Sequence, residues 1–425
     1  MRDLLFTTLF ALMSVLSLRY AHLGVMLWVW SALLPPNSYL YGFGRDIPFN
    51  KIAVACTVIG VLIDSRKRIG LDPILLMMAL FLLQVSLSLA AAPTPEDWGS
   101  DLYERFIKVV IAAFALRFVA IDRARLHAIV IAMALAVATG TLAEAGKVVL
   151  SGGGHHTIGP PSWGDENSSA TMILMFMPLY LYLGGIAAHP LARRLRLPVF
   201  AGGVLAVIGS FSRGGFLGLL ALALALLVSA RRRVPVIAGL VLLGSLGFLL
   251  APDQWVNRIE TTGAAHEDAS FMGRVFQWKV LALMALDRPV VGAGMLANMD
   301  PSLWLFYADR LESELTFIPA PRSDGPHASH SIYFQVLGET GFVGLGLFLG
   351  MFGFGLRAAG TIRAQVIGQP DLLWAGEMAA ALRLGLILFL LTGAALPIPY
   401  FEPAYLLLAA VSALHSLQKR GRNGG

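Results

Sequence analysis

The chain reads as an all-α polytopic membrane bundle of about twelve transmembrane helices with a periplasmic helical lid, and three observations predict it. First, 57% of the 425 residues are hydrophobic and only 14% are charged, where a soluble domain carries about 25% charged residues. Second, the apolar residues fall in many runs near the ~20 residues that cross a bilayer as a helix. The runs are continuous rather than alternating, which excludes a transmembrane barrel. Third, Lys and Arg gather in short clusters between runs: Arg66-Lys67-Arg68, Arg123 and Arg125, Arg193-Arg194 with Arg196, Arg231-Arg232-Arg233, Arg357 and Arg363, and Lys419-Arg420 with Arg422. Such clusters mark the cytoplasmic side.

Taken in order, residues 4–34 hold either one crossing or two short helices broken near Arg19 and His22. One crossing gives twelve spans with both termini inside and is preferred, because two would put Arg2 outside. Further spans are expected near 48–63, 73–91, 105–121, 127–145, 168–188, 197–211, 214–230, 234–251, 331–352, 375–394 and 403–417. The organisation is thus a transmembrane bundle over 1–251, a large periplasmic loop with amphipathic helices over 252–330, and C-terminal transmembrane helices over 331–425. The loop is far longer than an ordinary connection, which points to function. Trp255, Phe271, Phe276, Trp278, Trp304 and Tyr307 recur in it among charges, the pattern of helices lying on a membrane surface.

The net charge of +6 follows from the clusters and requires no nucleic acid. Cys56, the single cysteine, sits in an apolar run and reads as a small core residue. The first apolar run lacks a small-residue cleavage site and is expected to stay in the protein. The pair His155-His156 has no carboxylate at ligand spacing, so no metal site is expected.

Several residues stand where packing alone does not demand them. Arg213 is the one charge in the turn Gly209-Ser210-Phe211-Ser212-Arg213-Gly214-Gly215. Its planar fork suits a phosphate; the plainer alternative is an arginine snorkelling from a helix end. Ser270, Arg274 and Trp278 share a helical face at i, i+4 and i+8, giving a cation beside an aromatic plate, or else an amphipathic helix with an anchoring Trp. Arg258, Arg288 and Arg322 lie in the same loop and read mainly as solvated, since the loop holds ten acidic against six basic residues.

His330 stands where the loop enters a span. A neutral imidazole there accepts a proton from a hydroxyl, the work of a general base. Ser331 and Tyr333 are placed to orient it, and His327 lies a turn away if the helix starts early; otherwise His330 is a cap or a solvated residue. Glu339 falls about 13 Å further along a helix, where a carboxylate must be paired, protonated or facing water. Arg213 or Arg383 would pair with it in a structural role. Gly341, Gly344, Gly346 and Gly350 follow as a smooth face for helix packing. Asp165 reads first as the N-cap of the span at 168–188.

His330-Ser331-x-Tyr333 with Glu339-x-Gly341, the Ser212-Arg213-Gly214-Gly215 turn, and Ser270-x-x-x-Arg274-x-x-x-Trp278 together resemble the signature of the O-antigen ligase and polymerase superfamily. Gly164-Asp165-Glu166-Asn167 resembles its Gly-Asp-Asn-Asn element, with Glu166 in place of one Asn. The Met1-Arg2-Asp3-Leu4-Leu5 start and the Leu34-Pro35-Pro36 break look like the ligase-like proteins grouped with exosortase systems. The resemblance implies an enzyme of the bacterial inner membrane whose active site faces the periplasm. It would move a glycan from undecaprenyl diphosphate to an acceptor hydroxyl with inversion, using no metal and no cofactor. His330 would be the catalytic base and Arg213 with Arg274 would bind the donor diphosphate. Arg288, His327, Tyr333 and Trp278 would supply further donor or acceptor contacts, and Glu339 and Asp165 support.

Three acceptors fit such a family: lipid A–core, the growing polymer, and a protein Ser or Thr. Lipid A–core is preferred because the outer loop is compact and the last span ends shortly before Gly425, leaving no protein-acceptor domain. The expected partners are therefore the undecaprenyl-diphosphate-linked glycan, lipid A–core and membrane lipids, with no nucleic acid, and the chain is expected to act as a monomer. A glycolipid transporter is the alternative from another class. Transporters place paired charges at the bilayer midplane and show repeats, whereas here the ionisable residues cluster at one boundary.

Overall fold

The computed structural model describes residues 1–95, 98–229, 269–311, 313–316 and 320–423, with isolated positions between 234 and 245. Most of the span expected at 234–251, the Arg231-Arg232-Arg233 cluster, Glu96-Asp97, Trp255, Arg258 and the side chain of Ser270 lie outside the described residues.

Among the described residues there are fourteen α-helices and no strand. They are α1 (Arg2–Arg19), α2 (Ala21–Leu33), α3 (Phe49–Ile63), α4 (Pro73–Ala90), α5 (Ser100–Val119), α6 (Arg123–Leu150) and α7 (Glu166–Ile186). Then follow α8 (Pro190–Gly209), α9 (Arg213–Ser229), α10 (Ala269–Asp287), α11 (Pro301–Arg310), α12 (Ile332–Gln365), α13 (Leu373–Gly393) and α14 (Glu402–Asn423). Helices α4, α6, α7, α12 and the stretch containing α13 are long and apolar enough to cross a membrane, and α2, α3 and α9 are shorter apolar helices. The chain is a multi-pass helical membrane protein.

Acidic caps set several helix starts. Asp72 accepts from the Ile74 and Leu75 amides (3.0 and 3.1 Å) with Pro73 at the first helical position. Asp122 does the same for α6, Asp165 for α7 and Asp300 for α11. Each side chain satisfies amides that have no partner inside the helix.

The N-terminal segment departs from the single crossing preferred from sequence. The Asp3 carboxylate accepts from the Gly42 amide (2.6 Å), in the connection before α3. At the far end of α1 the Arg19 carbonyl accepts from Arg66 (3.4 Å), in the connection after α3. Helix α1 therefore runs alongside α3 in the same direction, and α2 returns antiparallel to both. Residues 2–33 traverse the bundle twice, which puts Met1 at the end opposite to that expected from Arg2. The reversal takes place at Tyr20, which is extended (φ −124°, ψ 82°) without the help of Pro or Gly.

The basic clusters at 66–68 and 123–125 meet at one end of the bundle. The Arg68 amide donates to Phe118 O (2.9 Å), Arg125 lies 3.7 Å from buried Asp64, and Arg123 stands 4.7 Å over the Trp374 ring. Buried Arg117 donates to Ser412 (3.0 Å), which in turn donates to Asp72.

At the opposite end α10 and α11 form a cap with a small core of its own, built on Phe276, Val280, Leu283, Met284, Trp304 and Tyr307. Trp304 donates to Gln277 Oε1 (3.0 Å) inside it. The cap is fastened to α12, whose path is the key to the site. At Gly341 the backbone takes φ +70°, ψ −174° and the helix kinks. The backbone groups freed there pair with the 288–296 connection. Ala293 N donates to Gly338 O (2.9 Å), Gly294 N to Glu339 O (3.0 Å) and Phe342 N to Pro289 O (2.8 Å). Gln84 of α4 closes the joint by donating to Val290 O and Thr340 O (2.5 and 3.0 Å). Of the smooth glycine face expected after Glu339, Gly344 and Gly350 meet Gln84 and Met77 of α4 and Gly341 meets the Pro289 backbone, whereas nothing lies within 4 Å of a Cβ placed at Gly346.

Candidate active site

A cavity of about 360 Å³ opens between α10 and the segment that leads into α12. Its wall includes Arg274 and Gln277 from α10, Arg322 and Asp324 from the 320–331 segment, and both His327 and His330. His330 is clamped from both sides. The Ser329 carbonyl accepts from Trp278 Nε1 (2.7 Å), and the Ser331 carbonyl accepts the Gln335 amide (3.0 Å) as α12 begins. Between these anchors His330 adopts φ +46°, a left-handed conformation that costs a residue with a Cβ about 1–2 kcal/mol. Strain of this kind persists only where the surroundings over-determine it.

The electrostatics of the wall act on that imidazole. Burial lowers its proton affinity most, the Arg274 guanidinium lowers it further, the nearby Asp165 carboxylate raises it, and His327 lowers it slightly. The net result lies below the ordinary histidine range, so His330 is neutral at neutral pH and has a lone pair to offer. His327 has a more fixed role. Its Nδ1 is 2.6 Å from Gly325 O and so must carry the proton there, and its carbonyl accepts from Asn298 (2.9 Å). Arg322 sits in the wall and pairs with Asp309 of α11 (2.6 Å).

Residues 198–349 match the family described as O-antigen ligase, and residues 1–184 match a family of unknown function. The match over 198–349 supports membership of the O-antigen ligase and polymerase superfamily. No curated protein matches the chain. That family match supports a glycan-transferring enzyme of the ligase and polymerase class, working on a lipid-linked donor. The ligase-type segment runs from α8 past the kink in α12, so it contains the whole cavity wall.

Of the residues singled out in the sequence, Arg274, His327 and His330 come together on this wall, and Arg322, read there as solvated, joins them. Arg213 is exposed on the first turn of α9 and is not part of that wall. It belongs to the same end of the bundle: Cβ atoms placed at Gly215 and Gly218 would meet Ala170 of α7 and Thr392 of α13, and one at Gly393 would meet Ile332. Asp165 caps α7 through the Ser168 amide (2.8 Å).

Other residues have settings the sequence did not suggest. The Tyr333 hydroxyl donates to Leu390 O of α13 (2.8 Å). Arg288 donates to Ala91 O (2.6 Å), which ties the 288–296 connection to the end of α4. One face of Trp278 stacks on Phe334 (5.1 Å between ring centroids, 3° between planes), and Phe271 stands perpendicular to it (6.1 Å). Glu339, expected to pair with Arg213 or Arg383, instead accepts from Tyr400 Oη (2.5 Å), Gln335 Nε2 (2.9 Å) and the Leu296 amide (2.9 Å). Neutral donors fully enclose it, and Arg383, on α13, packs beside Gly360, some twenty residues further along α12 than Glu339. His155 does have a carboxylate, since its Nε2 is 2.8 Å from Glu144 at the end of α6. Sequence spacing hid that pair because the partner lies across a turn between elements.

Proposed function

We propose that the protein is an O-antigen ligase that transfers a glycan from undecaprenyl diphosphate to lipid A–core on the periplasmic face of the inner membrane. The observation that carries this reading is the shared wall of the cavity, on which a neutral, clamped His330 faces Arg274. An acceptor hydroxyl entering there gives its proton to the His330 imidazole while its oxygen attacks the anomeric carbon. The bond from that carbon to the diphosphate oxygen breaks with inversion, and the diphosphate leaves with the electron pair. Arg274 offers fixed positive charge to that leaving group, a preorganised stabilisation worth more than the same charge in water. Arg213, on the neighbouring helix end, is assigned the second diphosphate contact, and Arg322 lies close enough in the wall to assist.

The test is a reconstituted transfer with EDTA present, containing the purified protein, an undecaprenyl-diphosphate glycan and purified lipid A–core. Glycan on lipid A–core, lost in His330→Ala and in Arg274→Ala, supports the ligase. Longer lipid-linked chains without capped lipid A would assign a polymerase, and transfer only to a protein acceptor would assign an oligosaccharyltransferase. Full transfer by His330→Ala would remove the base from the scheme.

A further inference from the structure

A continuous run of side-chain hydrogen bonds leads from the bundle interior to the residue beside His330. Tyr400 donates to Glu339 Oε2 (2.5 Å) and Gln335 Nε2 donates to Glu339 Oε1 (2.9 Å). Ser329 Oγ donates to Gln335 Oε1 (3.0 Å), and Trp278 Nε1 donates to the Ser329 carbonyl (2.7 Å). Glu339, Gln335, Ser329 and Tyr400 are all buried. A buried polar group costs free energy unless every partner is in place, so such a run is rigid when complete and expensive when broken.

The run also has a direction. The Glu339 carboxylate is enclosed by three donors, so the Gln335 amide turns its NH2 toward it. That leaves the Gln335 oxygen facing Ser329, whose hydroxyl must donate. Orientation is passed from one residue to the next until it reaches a backbone position adjacent to His330. There the chain is strained at φ +46°, a conformation that reverts to commoner ones when its anchors loosen. Packing alone does not explain the run, since apolar side chains of similar volume would fill the same space without a desolvation cost.

We propose that Ser329 and Gln335, backed by Glu339 and Tyr400, are positioning residues that hold the His330 imidazole toward the cavity. The proposal rests on the reading of His330 as the base, and neither Ser329 nor Gln335 touches the cavity contents in this role. It also explains why a carboxylate deep in α12 serves a reaction carried out at the start of that helix.

The experiment compares Ser329→Ala, Gln335→Met and the conservative Ser329→Thr in the full-length protein in detergent. Four quantities are read: kcat and KM for an undecaprenyl-diphosphate-linked oligosaccharide, the thermal midpoint, and the imidazole 13C–1H resonance of His330, assigned by its absence in His330→Ala. Loss of one such orienting bond is expected to lower kcat about tenfold with KM unchanged, and to move the His330 resonance. Ser329→Thr should restore both, and Ser329→Ala should have no further effect on kcat in the His330→Ala background. A His330 resonance that stays fixed in both Ser329→Ala and Gln335→Met overturns the proposal, whatever happens to stability. If His330→Ala alone retains full transfer, the base assignment fails, while the resonance still decides whether the run positions the ring.

Discussion

Replacing Gly341 with alanine should uncouple transfer from folding. Gly341 holds φ +70°, ψ −174°, a region essentially restricted to glycine that costs other residues about 1–3 kcal/mol. A Cβ there would also lie 2.5 Å from Pro289 O, 2.9 Å from the Pro289 carbonyl carbon and 3.0 Å from Arg288 O. All three are backbone atoms and cannot swing aside. The cheaper course for alanine is a helical conformation, which straightens α12 and withdraws residues 338–340 from the 288–296 connection. His330 precedes the kink by eleven residues, a lever of about 16 Å at 1.5 Å per residue. A change of direction of only about 10° then moves it by roughly 3 Å, and a misplacement of about 1 Å is enough to cost a hundredfold in rate. The expected result is at least a hundredfold loss of transfer with helicity retained, read by the reconstituted assay beside circular dichroism. Gly346→Ala is the control, because its Cβ meets nothing within 4 Å. Wild-type kcat in Gly341→Ala would refute the reasoning.

Because burial, Arg274 and His327 hold the His330 imidazole below the ordinary range against Asp165 alone, transfer should persist as pH falls through that range. It should fail only at the lower pH where the base finally protonates; in a profile of kcat against pH, Arg274→Gln should move the acid limb upward and Asp165→Asn should move it downward. Glu339→Ala strands the Leu296 amide, Gln335 and Tyr400, and at about 1–3 kcal/mol for each unsatisfied group it should lower the thermal midpoint far more than Glu339→Gln. The glutamine keeps one accepting oxygen and sets only a single donor against Tyr400, so equal melting of the two variants would contradict this account. Gly140→Ala drives a methyl into the fully buried Trp163 indole (2.7 Å), which cannot retreat because its Nε1 donates to Leu33 O (2.6 Å). Overpacking of that kind costs about 1–3 kcal/mol, to be checked by thermal unfolding with transfer assayed below the midpoint.

The bundle was legible in the sequence because its signals are local. An apolar run near 48–63 became Phe49–Ile63 and one near 73–91 became Pro73–Ala90, since in a bilayer an apolar segment of that length has to satisfy its backbone as a helix. The break at Tyr20 was legible only as the less favoured of two readings, for it carries neither Pro nor Gly, and its direction is settled by contacts distant in sequence, from Asp3 to Gly42 and from Arg66 to Arg19. The same division runs through the site. His330 and Arg274 stand out by residue type and spacing. The partners of Glu339 do not: Leu296 and Tyr400 are far away in sequence, and a buried carboxylate suggests an arginine before it suggests a tyrosine. Arg322 looked solvated because loop charges usually are; only the fold places it on the cavity wall.

The site is assembled from two units that sequence reading treats as separate, and the way they join bears on its chemistry. The cap brings Arg274 on α10 and the bundle brings the start of α12, yet the joint between them is largely backbone pairing at 338–342. Backbone bonds have less freedom than side-chain contacts, because each strand of the joint is fixed by several of them at once. The kink at Gly341 makes the joint possible by freeing those groups, and Gly292 lets the connection approach: it holds φ +70°, and a Cβ there would collide with the Glu339 and Thr340 backbone. The small core of the cap relies on the same contact, since Leu281 of α10 covers Gly338. The distance between Arg274 and His330 is thus set by the packing that folds the cap, so a substitution in the joint should disturb catalysis before it disturbs the span of α12 beyond the kink.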